Sequence, residues 1–338
     1  MKPPLVSILI PAYNAEEWIA YTLESAIAQT WQRKEIIVVD DGSTDRTGEI
    51  ARRFASKEVN IVSTENRGLC AAVNHAYKLC QGDYIQELDA DDLLGADKIE
   101  RQLAALRDGD SKRLLLSSPW AAFCYRTSRA RFVRNPLWND LAPVEWLLRK
   151  MSLNLHMQNA TWLVSRELAE IAGPWDERLH YDQDGEYFDR VLVASEGTRF
   201  VPEGKVFYRV SGTNRISYIG NSDKKKESLL LSLKLHVQYL RSLEDTPRVR
   251  QACLTYLQNW YHYFYPDRPE LVAVLQSLAA ELQGHLEPPA LRWKYVWMKS
   301  IFGWKTAKWA QGALPQFKAA VIRRWDKAMY TLESREAS

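Results

Sequence analysis

Short apolar runs alternate with amphipathic stretches through the first hundred residues, and this alternation constrains the fold more than any other feature of the sequence. Apolar runs of strand length predict buried β-strands, and the stretches between them carry apolar residues at helical spacing. Strands and helices that alternate across short loops predict a parallel sheet with helices on both faces. The chain is therefore expected to be an α/β protein with a Rossmann-like sheet. The predicted strands are residues 5–10, 35–40, 60–63 and 83–88.

Capping signals place helices between these strands. Asn14 and Glu17 resemble a capping box that opens a first helix. Ser43 or Thr44 is expected to cap a second helix that runs through residue 54, and residues 69–80 are expected to form a third. The buried face of the first helix is predicted to comprise Ile19, Leu23, Ala26 and Ile27.

The remainder of the chain has a different character. From about residue 117 to 218, strand and helix signals are mixed, with Pro, Gly and Trp scattered among them. After Ser222, leucines at helical spacing predict helices that continue to about residue 283. We expect a boundary near residue 220, so that an α/β unit at 1–220 is followed by a helical region at 221–338.

Composition excludes several classes of protein. A formal net charge of +3 over 338 residues is too balanced to indicate nucleic-acid binding. The four cysteines lack CxxC spacing, which argues against zinc and favours a reducing compartment. Residues 1–10 lack the apolar core of a signal peptide, and no run approaches the roughly 18 apolar residues of a spanning helix. The expected location is the cytoplasm, and a peripheral position on the cytoplasmic face of the inner membrane stays open.

Polar residues concentrate in the loops that follow the four predicted strands. The carboxyl ends of parallel strands meet at one edge of the sheet, where ligands of such sheets bind. The four loops are therefore expected to converge on a single rim. They comprise residues 11–14, 40–45, 66–68 and 89–92.

The segment LDADD follows the fourth strand and brings three carboxylates together. Carboxylates this close repel one another and raise one another's pKa values, so a positive charge is expected among them. Oxygen ligands favour Mg²⁺ or Mn²⁺, which commonly takes one or two carboxylates and completes its shell with phosphate and water. Asp89, Asp91 and Asp92 are therefore predicted to hold a divalent cation against a diphosphate. The alternative is that Asp91 or Asp92 caps the following helix.

The first two loops offer groups that can hold a base and a ribose. Residues 11–14 (PAYN) supply an aromatic face and backbone polar groups, and Asp40 and Asp41 supply acceptors on the turn DDGS. Taken singly, each has a simpler interpretation, since PAYN can start a helix and DDGS can be an ordinary turn. The combination of loops is what indicates a nucleotide site.

Four blocks occur in one order along the chain: VSILIPAYNAEEWI, IIVVDDGSTDRT, ENRGLCAAVNHAY and GDYIQELDADD. Together they resemble the family 2 glycosyltransferases of the GT-A fold, densely over the first hundred residues and more thinly to about residue 218. The resemblance implies an inverting, metal-dependent enzyme of the hexosyltransferase type that uses a nucleoside-diphosphate sugar. It also implies a nucleotide-sugar half at 1–115 and an acceptor half at 116–220.

The resemblance assigns roles to individual residues. One departure is Val73, which stands before Asn74 where many members carry arginine, so one nucleotide contact is either missing or supplied elsewhere. By resemblance the nucleobase pocket is lined by Pro11, Ala12 and Tyr13, the base is contacted by Asp40 or Asp41, and the nucleotide is bordered by Asn66 and Gly68. The ribose or metal is reached by Asp89, and the metal is ligated by Asp91, together with Asp92.

Inverting transfer needs a carboxylate that removes the proton of the acceptor hydroxyl. The segment GPWDERLHYDQDGEYFDRVL resembles the FDE…ED…R region of the family, and this alignment makes Asp184 the base. Gln183 replaces the first acid of the usual pair, which leaves Asp182 and Glu186 as competing candidates. The simpler interpretation is a set of solvated acids before a helix, with Arg190 pairing one of them. Arg215, and also Arg209, are expected to bring positive charge to the diphosphate, although a surface role is equally open.

The C-terminal tail is basic and rich in tryptophan. Residues 288–327 contain nine Lys or Arg, one Asp and five of the thirteen Trp residues. Cations interleaved with indoles suit an anionic membrane interface, which we expect residues 288–332 to contact. Helical spacing places Phe317, Val321, Trp325, Ala328 and Leu332 on a single apolar stripe, which supports this hypothesis. The alternatives are that the tail covers its own core or forms the interface of a homo-oligomer.

The sequence thus favours an inverting glycosyltransferase that moves a sugar from a UDP-sugar or similar donor to a saccharide or lipid-linked saccharide, in bacterial surface polysaccharide synthesis. The cofactor is expected to be Mn²⁺ or Mg²⁺. A sugar-phosphate nucleotidyltransferase is less favoured because no Gly-rich, Arg-bearing loop follows the first strand. An inactive nucleotide-sugar-binding module is the other alternative.

Overall fold

The computed structural model describes residues 2–210, 219–220, 222–289, 301–302, 306 and 320–333. Helices and strands alternate through the first hundred residues, and helices prevail after residue 222. The strands are β1 Val6–Ala12, β2 Lys34–Asp41, β3 Val59–Thr64, β4 Tyr84–Glu87, β5 Leu93–Leu94, β6 Leu114–Ser117, β7 Trp120–Phe123, β8 Val164–Ser165, β9 Gly197–Phe200 and β10 Val206–Arg209. The helices are α1 Ile19–Ile27, α2 Thr47–Arg52, α3 Leu69–Leu79, α4 Lys98–Ala104, α5 Pro143–Leu153, α6 Arg166–Ala172, α7 Gln183–Ala194, α8 Asp223–Leu243, α9 Pro247–Trp260, α10 Pro269–Glu281 and α11, residues 320–333.

The main sheet has the strand order β3-β2-β1-β4-β8. The first four strands are parallel, and only the edge strand β8 runs antiparallel. All seven residues of β1 are buried, because β1 is central and helices cover both faces of the sheet. Such burial explains why the strand is a continuous apolar run. The four predicted strands and the α/β class are confirmed.

The helices α1 and α2 begin later than the capping signals predict. Asn14 has a left-handed backbone with φ +48°, and α1 begins at Ile19. The side-chain oxygen of Asn14 accepts hydrogen bonds from the backbone N–H of Thr44 at 2.9 Å and from its hydroxyl at 3.2 Å. The predicted capping residues therefore tie two loops together and cap neither helix. Ile27 is also not buried as predicted, since it is 39% exposed.

The region whose signals were mixed contains two small sheets. In one, β10 pairs antiparallel with β5 and parallel with β7, which brings the end of β10 beside the loop that contains Asp91 and Asp92. In the other, β6 pairs parallel with β9. These pairings join segments that are far apart in sequence, so local patterns did not reveal them.

The helices beyond residue 222 pack directly on the α/β part. Leu233 of α8, Tyr256 of α9 and Leu275 of α10 belong to the same buried cluster as Phe188 of α7. A second cluster lies around β1 and α1. The predicted helical character is confirmed, and α8 to α10 share a core with the preceding helices. None of the helices within the described ranges is long and apolar enough to cross a membrane.

Candidate active site

The first two loops at the carboxyl edge of the sheet are joined by hydrogen bonds. The backbone N–H of Asn14 donates to the hydroxyl of Ser43 at 3.0 Å. The next backbone N–H, that of Ala15, donates to the hydroxyl of Thr47 at 2.7 Å. These bonds hold the PAYN segment against the DDGS turn, so the structure brings these two predicted loops together.

The third loop closes on the second. Asp41 accepts the backbone N–H groups of Arg67 at 2.9 Å and Gly68 at 2.8 Å, one on each carboxylate oxygen. Gly42 has φ +68°, and a Cβ at this position would lie 2.7 Å from the backbone nitrogen of Asn66. Only glycine suits this left-handed turn and this close approach. Asp41 is thus engaged in holding the loop that contains Asn66 and Gly68.

The residues assigned to the nucleobase differ in accessibility. Pro11 and Ala12 are buried at the end of β1, whereas Tyr13 is 51% exposed. Asp40 is buried and accepts the backbone N–H of Ser43 at 3.1 Å. The ring of Tyr13 is therefore the accessible aromatic surface of this edge, while Pro11, Ala12 and Asp40 shape the loop beneath it.

Asp89 lies at the centre of a negatively charged cluster. Its Oδ1 accepts a hydrogen bond from the amide of Asn159 at 3.0 Å. Burial, together with the negative charges of Asp91 and Asp184, raises the pKa of Asp89 to about 7. Since these carboxylates act on one another electrostatically, the fold brings Asp184 to the acidic loop, residues 89–92, although Asp184 is 95 positions further along the chain than Asp89.

Asp92 is fully buried and anchors the acidic loop to its surroundings. Its Oδ1 accepts the backbone N–H of Arg209 at 2.7 Å, and its Oδ2 accepts the amide of Gln158 at 2.5 Å. Burial and the charges of Asp91 and Asp89 raise the pKa of Asp92 well above its usual range. The alternative that Asp91 or Asp92 caps the next helix is wrong, because β5 follows them directly and α4 begins only at Lys98.

The side chain of Arg209 holds the acidic loop by a hydrogen bond to its backbone. Its Nε donates to the carbonyl of Asp91 at 2.7 Å, and its Nη1 donates to the carbonyl of Cys124 at 2.8 Å. Its guanidinium lies 4.2 Å from the ring centre of Trp18 and 4.3 Å from that of Phe123. Burial lowers the pKa of Arg209. Arg209 thus supplies a buried positive charge beside the acids, as expected, whereas Arg215 lies outside the described residues.

Two of the three candidate bases are already engaged. Glu186 receives two hydrogen bonds from Arg190, at 2.8 and 3.0 Å, and one from the hydroxyl of Tyr239 at 2.5 Å. Asp182 lies 2.8 Å from Nε2 of His236 and also accepts the hydroxyl of Ser232. The expected pairing of Arg190 with an acid is therefore confirmed, with Glu186 as the acid.

Asp184 differs from both neighbours. Within the described part of the chain its carboxylate has no ion pair and no side-chain hydrogen bond, and it is partly exposed. Burial raises the pKa of Asp184, His156 lowers it and Asp182 raises it, and the net shift is upward. A carboxylate with a raised pKa is a stronger base than an ordinary aspartate. Among the described residues, Asp184 is therefore the one carboxylate of the three that no other side chain binds.

His156 contributes to the surroundings of Asp184, although it was not among the residues predicted for the site. Its ring meets Trp120 edge-on, with centroids 5.6 Å apart, and its side chain is exposed. Asn159 and Gln158, which bond Asp89 and Asp92, were likewise missed. No motif marks these three residues, because they reach the site through the loop after α5 and not through a strand end of the main sheet.

The acidic loop suits a divalent cation that shares its ligands with a substrate. No group of three or more His, Cys, Asp or Glu within the described residues is arranged to hold a metal alone. Asp89 and Asp91 are partly exposed and repel each other, as the raised pKa of Asp89 shows. A Mg²⁺ or Mn²⁺ that takes its remaining ligands from a diphosphate and water needs only one or two carboxylates, so these residues fit it.

Comparison with known proteins is consistent with these features. Residues 7–123 match the model of glycosyl transferase family 2. An uncharacterized glycosyltransferase from Rickettsia typhi is 32% identical over 192 residues, which cover 57% of this chain and 60% of that protein. Chondroitin synthase from Escherichia coli is 43% identical over 108 residues, which cover 31% of this chain and 16% of that protein. The matched part thus spans 60% or less of either relative.

Solved structures share the fold at low identity. Residues 1–349 of S. aureus TarS align with a TM-score of 0.60 and 17% identity, covering 82% of this chain and 79% of that one. The same fragment in complex with UDP-GlcNAc aligns with a TM-score of 0.56 and 17% identity, covering 91% and 92%. The mannosyltransferase PcManGT from Pyrobaculum calidifontis, in complex with GDP-Man and Mn²⁺, gives 0.53 and 18%, covering 94% and 89%. The fold is that of GT-A glycosyltransferases.

Proposed function

We propose that this chain, whose residues 7–123 match glycosyl transferase family 2, transfers a sugar, with inversion, from a nucleoside-diphosphate sugar to a saccharide or lipid-linked saccharide. The observation that carries the proposal is the partly exposed carboxylate of Asp184, which binds no other side chain among the described residues and acts electrostatically on Asp89. The acidic loop, which suits a metal ion bound to a diphosphate, therefore lies in the same site as a potential base.

In the proposed reaction the acceptor oxygen attacks the anomeric carbon while the bond from that carbon to the diphosphate breaks. Asp184 takes the proton of the attacking hydroxyl. Its raised pKa favours this role, whereas His156 beside it lowers that pKa and so stabilises the charged carboxylate. When bound, Mg²⁺ or Mn²⁺ held by Asp89 and Asp91 would stabilise the charge of the departing diphosphate. Asp92 and Arg209 keep the acidic loop in place.

A UDP-sugar is the favoured donor. Tyr13 offers an accessible ring on which a base can stack, while Asp41 holds the neighbouring loop with Asn66 and Gly68 at the same edge. The similar TarS fragment is described in complex with UDP-GlcNAc, and PcManGT with GDP-Man, so both nucleotide classes belong in the test. Synthesis of a bacterial surface polysaccharide is the proposed setting.

The test is isothermal titration with UDP-, GDP- and dTDP-sugars, with and without Mn²⁺, followed by turnover with the donor that binds most tightly. Asp184→Asn is expected to bind this donor as the wild type does and to lose nearly all turnover. Asp97→Asn, a surface aspartate paired with Arg101, is the matched control and should be fully active. Turnover of Asp184→Asn near the wild-type rate would contradict the assignment.

The same titrations separate the alternatives. A sugar-phosphate nucleotidyltransferase would bind nucleoside triphosphates and release pyrophosphate. An inactive binding module would bind a nucleotide sugar with no turnover in the wild type. A glycosyltransferase releases a nucleoside diphosphate from its donor, and one-dimensional NMR of the released sugar reports whether its anomeric configuration is inverted.

We further propose that α11 binds an anionic membrane surface, which suits a lipid-linked acceptor and a peripheral position on the cytoplasmic face of a membrane. One side of α11 docks on the protein: Asp326 pairs with Arg126 at 2.7 Å, and Lys327 pairs with Glu17 at 3.0 Å. The other side is apolar and exposed, and includes Val321 (52%), Ile322 (54%), Trp325 (67%) and Leu332 (53%).

The two sides of α11 have different chemistry, which supports this orientation. Its acidic residues Asp326 and Glu333 both pair with Arg126, so they add little negative charge to the exposed side. Arg324 remains exposed near the apolar stripe. Apolar side chains with flanking cations are typical of helices that lie in an anionic interface. The rest of the basic tail at 290–319 lies mostly outside the described residues.

A further inference from the structure

Four ionisable side chains form a buried chain behind the proposed base. Nζ of Lys150, on α5, lies 2.6 Å from Oδ1 of Asp189 on α7. Oδ2 of Asp189 lies 2.6 Å from Nδ1 of His236 on α8. Nε2 of His236 lies 2.8 Å from Oδ2 of Asp182, the residue that precedes α7. The side chains of Asp189 and His236 are at most 2% exposed.

The two carboxylates beside the ring favour the positively charged form of His236. Each ring nitrogen of His236 faces a carboxylate oxygen, and only the imidazolium form carries an N–H on both nitrogens. The Nδ1 contact is close but poorly aligned for a hydrogen bond, so it acts mainly through charge. With His236 charged, the network contains two cations and two anions. Their attraction offsets part of the free-energy cost of removing these charges from water.

The remaining neighbours of His236 are uncharged. Ser232, one turn earlier on α8, donates its hydroxyl to Asp182, and the ring of Tyr256 on α9 meets His236 edge-on at 5.6 Å. Burial and Lys150 lower the pKa of His236, Asp189 and Asp182 raise it, and the net shift is upward. The charged network therefore includes groups from α5, α7 and α8.

The chain of four ends at a left-handed turn next to Asp184. Asp182 has φ +60°, which aspartate tolerates better than most residues other than glycine, and its carboxylate is held there by Ser232 and His236. Its carbonyl accepts the backbone N–H of Glu186 at 3.0 Å, which closes the first turn of α7. A Cβ on Gly185 would collide with the Asp182 carboxylate, so this carboxylate lies directly over the first turn. The position of Asp182 therefore determines where Asp184 points.

We propose that His236 is a positioning residue for the transfer reaction: it holds Asp182 in its left-handed turn and thereby directs Asp184 towards the acidic loop. Helix α8, which follows the predicted boundary near residue 220, would then be part of the catalytic machinery. This inference rests on the proposed role of Asp184 as the base. Because small displacements of a reacting group reduce rates strongly, the expected effect is on turnover and not on donor binding.

The experiment compares His236→Leu and His236→Gln in the full-length protein with Mn²⁺ and the tightest-binding UDP-sugar. Turnover is measured as UDP release when the sugar is transferred to water, which also needs a base to accept a proton. We expect kcat of His236→Leu to fall roughly 30-fold or more, with donor Kd within about twofold of the wild type. His236→Gln should recover part of kcat, because its amide can still donate to Asp182.

Leu233→Ala is the matched control, since Leu233 is buried on the same helix and is not part of the network. It should lower the melting temperature without changing kcat, provided that every variant is assayed where circular dichroism shows it to be folded. The proposal is overturned if kcat of His236→Leu stays within twofold of the wild type. It is equally overturned if Leu233→Ala reproduces the same loss of kcat.

If His236→Leu does not fold, Ser232→Ala provides the test, because it removes the other partner of Asp182. Reduced kcat with unchanged donor Kd supports the proposal, and unchanged kcat overturns it. Asp184→Asn distinguishes the proposed role of Asp184 as the base from the proposed role of His236. Wild-type turnover in Asp184→Asn refutes the assignment of the base, whereas an inactive Asp184→Asn beside a fully active His236→Leu refutes only the role of His236.

Discussion

The carboxylate of Asp92 accepts the backbone N–H of Arg209 at 2.7 Å across a sequence separation of 117 residues. This bond joins the acidic loop to the end of β10, and Arg209 returns a second bond to the carbonyl of Asp91. The acidic loop therefore depends on a strand that lies far beyond the four recognisable sequence blocks. Several consequences of this arrangement can be measured.

Asp92→Ala should destabilise the protein because it leaves the buried Arg209 N–H without its acceptor and removes one of the two acceptors of the Gln158 amide. A buried donor that loses its partner costs about 1–3 kcal/mol. Urea denaturation followed by tryptophan fluorescence measures the loss. Asp97→Ala, which removes a partly exposed aspartate, should unfold at nearly the wild-type urea concentration. Equal midpoints for the two variants would contradict the anchoring role of Asp92.

Asp91→Asn should reduce the contribution of Mn²⁺ to donor binding. If Asp91 is a metal ligand, the titrations of this variant with and without Mn²⁺ should give nearly the same donor affinity, because the amide is a weaker ligand than the carboxylate. The wild type and Asp97→Asn should bind the donor more tightly with Mn²⁺. An undiminished response to Mn²⁺ in Asp91→Asn would remove this residue from the proposed site.

Gly42→Ala should weaken nucleotide-sugar binding and stability together. The new Cβ would meet the backbone nitrogen of Asn66, and the left-handed φ of +68° adds a cost of about 1–2 kcal/mol. Gly109→Ala is the control, since Gly109 also has a positive φ, +89°, but has no neighbouring atom within 4 Å of the added Cβ. Calorimetric donor titration should show weaker binding only for Gly42→Ala, and unaltered binding would mean that the second and third loops do not form the donor site.

The stabilisation that His236 provides should decrease as pH rises. Its pKa in the folded protein is raised above the ordinary value of about 6.5, so its contribution is complete below that pH and is lost as pH rises through the folded-state pKa. Each pH unit in this window removes about 1.4 kcal/mol. Urea denaturation of the wild type and His236→Gln from pH 5.5 to 9 tests this, and a difference that grows with pH would refute the charged state of His236.

Replacing Trp325 by Ala together with Val321 by Ser should weaken binding to phosphatidylglycerol vesicles roughly tenfold or more, because large apolar side chains leave the interface. Binding is measured by co-sedimentation and should fall at high salt. Ile171→Ser, which removes an apolar residue of similar exposure (53%) elsewhere, is the control. The alternative result is that the wild type does not bind the vesicles and sediments as a dimer, whereas the double variant sediments as a monomer. The apolar stripe would then be an interface between two copies of the chain.

The main sheet and its rim could be predicted from sequence because they depend on local properties. A buried parallel strand such as β1 is a continuous apolar run, and the polar loops after such strands must meet at one edge. The helix starts were less predictable, since a capping residue such as Asn14 or Thr44 bonds equally well to a neighbouring loop. Sequence alone cannot tell which partner such a polar side chain will find.

The sequence by itself determined the α/β class, the four converging loops and the short set of acids that contains Asp184. The tertiary structure decided which of those acids is left without a side-chain partner among the described residues, because Arg190 and Tyr239 bind Glu186 while Ser232 and His236 bind Asp182. The physical reason is the distance along the chain over which each effect acts. Apolar periodicity acts over a few residues, whereas the state of a carboxylate depends on charges and donors that distant helices bring to it only when the chain folds.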